Sequence, residues 1–346
     1  MTRRTWTLSL SVLLVLVLGL VGGFVRVPYV ALGPGPTYDT LGKIGDTPVV
    51  QFEGRDTADF GGHLTMTTVG VTDGVTLFGA LGLWAGGRFA LVPREEIFPP
   101  EKTKQEVDAE NTKAFEDSQN SAEVAALRYL KYPNKVLVGS VVTNGPADKV
   151  VQPGDKLVEV NGQPATTSDQ VRAALQDTRP GEQVTVRFQR NEQSGPTSAQ
   201  VTLGERPEKG PDRPTYGFLG ITPIDRPSAD FHIKISLKEV GGPSAGLMFA
   251  LAIVDKLTPG KLNGGISVAG TGEISQEGKV GAIGGIPFKM RAAKDQGAEV
   301  FLVPADNCVE ARQRAPEGLR LVRVETLAGA VESLQALQEG KPTPGC

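Results

Sequence analysis

Histidine is almost missing from this chain: His63 and His232 are the only two in 346 residues. A histidine general base or a histidine-rich metal centre therefore has little to draw on. Cysteine is as scarce. Cys308 and Cys346 stand alone, with no Cys-x-x-Cys spacing, so the sequence predicts neither a zinc site nor a disulfide framework. Excess charge of one sign is lacking too. The 36 basic and 39 acidic residues are interspersed and sum to −3, which argues against nucleic acid and other polyanions as partners. No G-x4-G-K-[ST] phosphate loop occurs, so no ATP site is expected. These absences leave a globular chain long enough for two or three domains, with neither a cofactor nor a metal expected.

The first positive feature is TWTLSLSVLLVLVLGLVGGFV, residues 5–25, an uncharged run of 21 residues. As a helix it would span roughly 31 Å, the thickness of a bilayer core. It is longer than the apolar region of a signal peptide and no A-x-A follows it, so an uncleaved membrane anchor is expected. Arg3 and Arg4 precede the run, which places the amino end inside and the remainder outside the cytoplasm. Residues 26–45, rich in Pro and Gly, are expected to form an extended stalk.

GHLTMTTVGV, Gly62–Val71, alternates like a strand, and His63 on it is expected to be a surface histidine. From Pro99 a charged solvated loop or helical face leads into the helix NSAEVAALRYL. Residues 134–206 then form a separate module: strand VLVGSVV, strand GDKLVEVNG closed by Asn161-Gly162, helix SDQVRAALQ, and strand GEQVTVRFQR. This segment resembles a PDZ domain of the permuted bacterial kind. The resemblance implies that an extended peptide adds to an open sheet edge, expected between the first strand and the helix Ser168–Gln176. A spacer without ligand has the same pattern. Gly204–Thr215 is a linker, and YGFLGI beyond it fits either a loop for a peptide carboxylate or a strand of the next domain.

In FHIKISL, alternate residues from Phe231 to Leu237 share one face of a half-buried strand. A turn leads to GGPSAGLMFALAI, where Ser244 stands at the mouth of a helix that is apolar nearly all round. By position alone Ser244 can be a helix cap, part of an anion site or a nucleophile. G-x-S-x-G also fits an α/β-hydrolase elbow, but that chain order needs a later histidine and none follows residue 232. Lysine is then the candidate base. Lys256, Lys261, Lys279 and Lys341 all sit in solvated settings. Lys289, in IGGIPFKMRAAKDQG, lies in the first turn of a helix beside the inward stripe Ile286, Met290 and Ala293. Desolvation and the positive helix end would both lower its pKa.

GGPSAG, TGEIS at Thr271–Ser275, and GKVGAIGGIPFKMRAA together resemble the proteolytic domain of the Lon protease family. The resemblance implies Ser244 as nucleophile, Lys289 as general base and Thr271 as the threonine that orients the lysine. Val240-Gly241 stands where the family usually has Lys-Asp, and the family's ATP motor has no counterpart here. With anchor, PDZ module and Lon-like segment in that order, the chain resembles the membrane-anchored PDZ-Lon proteins. The expected fold is α+β: a transmembrane helix over 5–25, a stalk over 26–45, a first Lon-like segment over 46–131, a PDZ domain over 134–206, inserted in or preceding the Lon-type domain, and the catalytic segment over 213–346. An ATP-independent serine endopeptidase is implied, with polypeptide substrates as partners, one helix in the membrane, and a homo-oligomer suggested by the rings that Lon-like domains form. A catalytically silent PDZ scaffold that binds envelope proteins is the alternative, and a membrane protein that binds an anion at the GGPSAG turn is a third.

Overall fold

The computed structural model describes residues 3–57, 61–191, 195–206, 215–237, 240–260 and 262–346. Most of the predicted linker, part of the turn before Ser244, and Lys261 lie outside these. Arg3–Phe24 is helix α1, Tyr29–Asp39 and His63–Thr72 are strands β1 and β2, and Leu77–Ala85, Ala90–Pro93 and Lys104–Tyr129 are α2, β3 and α3. The chain then runs through β4 (Asn134–Val141), β5 (Lys156–Val160), α4 (Ser168–Ala173), β6 (Gln183–Gln189), β7 (Thr197–Thr202) and β8 (Ile221–Pro227). It continues as β9 (His232–Ile235), α5 (Gly246–Leu257), β10 (Ser267–Gly270) and α6 (Ile286–Asp295). Last come β11 (Val300–Pro304), α7 (Cys308–Gln313), β12 (Arg320–Val324) and α8 (Leu327–Gln338).

Contacts divide the chain into two units. The first comprises residues 1–130 and 231–346, and the second is Lys131–Asp230. In the first, a mixed sheet has the order β12-β11-β10-β2-β1-β3. β10 runs parallel to both β2 and β11, with Gly270 opposite Met66 and Leu302, whereas β1 is antiparallel to β2 and β3. The core helix is α5, buried from Gly246 to Asp255. Leu247, Phe249, Leu251 and Ile253 are fully enclosed, each worth about 1.5–3 kcal/mol in apolar burial. Phe249 meets the Phe115 ring of α3 edge-on at 5.8 Å. The buried Asp255 accepts from the Leu262 N–H at 2.8 Å, which satisfies a group that would otherwise weaken the core.

Two expectations need correction here. Residues 29–39 are not a stalk but β1, an inner strand of the sheet. Pro34 and Pro36 are tolerated because the β1–β2 register shifts between Pro34 and Thr37, and a bulge frees the ladder from needing their missing N–H groups. Of the loop and the helical face expected after Pro99, the second holds from Lys104 onward, continuous with NSAEVAALRYL. Thr103 and Glu106 form a capping box and Lys113 reaches Asp117 at 2.7 Å one turn on, both helix-favouring contacts. Cys308 and Cys346 are joined in a disulfide across 38 residues. The approach of Gly345 to Val322 on β12 brings them together, and no local spacing encodes that.

The second unit is a sheet in the order β7-β6-β5-β4-β8, closed on one face by α4. Asn161 and Gly162, at φ of 49° and 76°, make the tight turn expected after β5. The unit ends at Asp230 because β8 pairs along the whole of β4. β8 thereby occupies the edge that the sequence suggested was open beside β4. Among the described residues, the end strand next to α4 is β8.

Candidate active site

Two turns and two helices build the site in the first unit. The turn before α5 is held from α3: Gly242 N–H donates to the Asn111 carbonyl at 2.9 Å and the Ser118 hydroxyl to the Pro243 carbonyl at 2.9 Å. Ser244 therefore stands at a fixed point in front of α5. It does not cap that helix, whose N-cap residue is Ala245 with no side-chain bond. The second turn precedes α6. Gly285 has φ of +71° and a Cβ there would come within 2.6 Å of Val69, so only glycine brings this turn against β2. Asn307 clamps the same loop, its amide donating to the Ile283 carbonyl and accepting from the Ile283 N–H, both at 2.9 Å.

Lys289 projects from the first turn of α6 and is only 3% exposed. Its Nζ lies 2.8 Å from Ser244 Oγ and 3.0 Å from Thr271 Oγ1. The Thr271 hydroxyl donates to the Ser244 carbonyl at 3.0 Å, which leaves its lone pairs turned to the amine. Gly272 N–H also donates to that carbonyl at 2.9 Å. Ser244, Lys289 and Thr271, from three separate segments, thus meet within hydrogen-bond distance. Burial pushes the Lys289 pKa down to about 8, opposed by the Glu273 carboxylate, which favours the ammonium. A buried amine titrating there holds a useful neutral fraction at physiological pH.

The dyad atoms open onto a cleft of about 460 Å³. Val69 and Val71 of β2, Leu32 of β1 and Ile97 make one wall, with Gly241–Ala245, Glu273 and Ile283–Gly285 around the rest. Neither histidine lines it. His63 pairs with Asp39 at 2.6 Å on the surface, and His232 is an exposed residue of β9. Glu273, Ser118, Asn307 and Thr67, which donates to the Gly270 carbonyl at 3.2 Å, escaped the sequence reading. Glu273 lies within TGEIS, next but one to Thr271, and that was the one local signal. The others act from distant segments and carry no motif. Among the described residues no group of three or more His, Cys, Asp or Glu could hold a metal.

The second unit carries its own groove, about 340 Å³, between α4 and β8. Val171, Leu175, Phe218 and Ile221 line it, with the Arg206 guanidinium beside them, 5.0 Å from the Phe218 ring centre and 5.8 Å from that of Tyr216. Of YGFLGI, Tyr216–Gly220 is the loop at the groove and Ile221 begins β8, a strand of this unit and not of the next.

Comparison with known proteins finds two families along the chain, with the second match beginning ten residues before the second unit ends. Residues 137–190 match the family model of the PDZ domain, and residues 220–335 match that of the Lon protease (S16) C-terminal proteolytic domain, so the PDZ segment precedes the Lon segment as the resemblances implied. The Lon protease of Lachnoclostridium phytofermentans is 37% identical over 103 residues, 28% of this chain and 12% of that protein. Lon protease 2 of Bacillus subtilis is 32% identical over 117 residues, 34% of this chain and 20% of that one. The chain thus spans only a small part of the length of the curated relatives it matches. Among solved structures, the PDZ domain of an SdrC-like protein from Listeria monocytogenes is 24% identical and covers 26% of this chain and 86% of its own, with a TM-score of 0.22.

Proposed function

We propose that the chain is a serine endopeptidase with a Ser244–Lys289 dyad, working without ATP. The observation that carries this reading is a lysine amine, buried and lowered to about 8, held 2.8 Å from a serine hydroxyl at the floor of an open cleft. Neutral Lys289 takes the Ser244 proton as Oγ attacks the peptide carbonyl, and the carbonyl oxygen becomes an oxyanion. The positive end of the α5 dipole, directly behind Ser244, favours that negative charge. The C–N bond then breaks, and the Lys289 ammonium returns the proton to the departing amine. Lys289 next deprotonates a water, which attacks the Ser244 ester and frees the acid. Thr271 keeps Nζ directed at Oγ throughout.

The flanking features set where and on what this acts. The 22-residue helix α1 is long and apolar enough to cross a membrane, and the Cys308–Cys346 disulfide suits an oxidising compartment. We read both as placing the catalytic unit outside the cytoplasm, anchored by α1. The groove beside β8 lies at the end strand of the sheet and offers apolar pockets, which suits an extended peptide of a protein substrate.

A fluorophosphonate probe tests the dyad directly. Labelling of the wild-type chain that is lost in Ser244→Ala and in Lys289→Arg, both with unchanged circular dichroism, is expected. Equal labelling of Ser244→Ala would overturn the assignment.

A further inference from the structure

Between β2 and β3 the chain reads VTLFGALGLWAGG, Val75–Gly87, with no charged residue. Its helix, α2, has a small inward face, where Ala80 and Leu83 pack with Ala31, Val75 and Leu91. Leu77, Phe78, Leu81 and Trp84 share the opposite face and are 41%, 51%, 49% and 64% exposed. A helix on a water-washed surface carries its polar residues there. A continuous apolar face without them marks contact with another apolar phase.

What adjoins this face identifies the phase. Gly22 is the buried residue of α1, and a Cβ built on it would lie 2.5 Å from the Phe78 ring. Two residues past α1, Arg26 bridges to Thr76, the N-cap of α2, and Val27 N–H donates to the Val75 carbonyl at 3.0 Å. The last turn of α1 and the start of α2 are thus fixed side by side, and the exposed Phe24 and Val25 join the two apolar surfaces into one. We propose that α2 is a second membrane contact: a short helix lying in the outer bilayer interface with Leu77, Phe78, Leu81 and Trp84 in lipid. Its nine residues give about 14 Å of helix, too short to span a bilayer but suited to lying along its surface. Trp84 at its end matches the preference of indole for that depth. The inference rests on the reading of α1 as an anchor.

The chain contains two tryptophans, Trp6 in α1 and Trp84 in α2, so each can be isolated by changing the other. Full-length W6F and W84F proteins are reconstituted in phosphatidylglycerol–phosphatidylethanolamine vesicles whose lipids carry bromine either near the headgroup end or near the tail end of the acyl chains. Trp84 emission is expected to be blue-shifted and to fall roughly twofold with the shallow bromines, and less with the deep ones. Adding Leu77→Asp and Leu81→Asp together should remove most of that quenching while Trp6 remains quenched. If Trp6 is quenched by brominated lipid and Trp84 is not, α2 is not in the bilayer although α1 is. A blue-shifted Trp84 insensitive to bromine means that a second copy of the chain covers the face, and this also overturns the proposal. Loss of quenching at both positions removes the anchor itself.

Discussion

The acid–base behaviour of Lys289 gives the sharpest test. With a pKa of about 8, the amine is neutral in about 1% of molecules at pH 6, about 9% at pH 7 and half at pH 8. If the neutral amine is the base, kcat/KM for a short unstructured peptide should rise about tenfold from pH 6 to 7, about fivefold from 7 to 8, and level off above 9. Glu273 supplies a second arm. Its carboxylate favours the ammonium, so Glu273→Gln should move the midpoint downward. The carboxylate is exposed and screened by water although Lys289 is buried, so the move should be small, about 0.1–0.7 pH unit, with less at high salt. Stability carries the same signature. The folded pKa lies below the unfolded value of 10.5, so the native state gains stability as pH rises from about 8 towards 10.5, by up to about 3 kcal/mol. That gain should vanish in Lys289→Met. Lys289→Arg, which cannot shed its proton, should lose at least about a thousandfold in activity. A midpoint near 10, an upward move in Glu273→Gln, or full activity in a folded Lys289→Arg would refute the reasoning.

Thr271→Val keeps the shape of the side chain but loses the hydroxyl, and should lower kcat about 10–100-fold with little change in KM, while Thr271→Ser restores most of it. Cys346→Ser should cost about 2–4 kcal/mol in urea unfolding, and a reductant should destabilise the wild type by the same amount but leave the variant unmoved. Gly285→Ala meets Val69 at a positive φ; it should lose about 1–3 kcal/mol and most of its activity, read by thermal melts and peptide hydrolysis. In the second unit, Arg206→Ala should weaken binding of peptides ending in a free carboxylate, measured by fluorescence anisotropy, without slowing hydrolysis of short peptides. Equal loss of both would make that unit a structural part of the enzyme.

The residues at the centre of the site are legible because their surroundings are local. Gly-Gly-Pro before Ser244 and Gly-Gly-Ile-Pro before Lys289 announce turns that open helices, and the apolar stripe beside Lys289 announces its burial. The supports are not legible in this way. Ser118 reaches Pro243 across 125 residues and Thr67 reaches Gly270 across 203, and a single serine or threonine on a helix or strand gives no sign of such a partner. The same physics hides β1, whose Pro and Gly imply a loop until the register shift that accommodates them is known. β8 pairs with β4, and nothing in its composition announces that partner.

The insertion of residues 131–230 also orders events in time. β2, at the middle of the first sheet, has one neighbour early in β1, but its other neighbour, β10, pairs residues 63–66 only with 267–270. At about 5–20 residues per second, a ribosome takes roughly 5–20 s to make the second unit alone. For that interval the first 130 residues wait, their sheet incomplete. The inserted unit has no such delay. Its own ends meet where Ser228 N–H donates to the Pro133 carbonyl at 2.7 Å, so it can close as soon as it has been synthesised and deliver α3 and β9 to one place. A chain broken or reordered within the insert should then fail first at assembly of the catalytic unit, before any question of substrate choice arises.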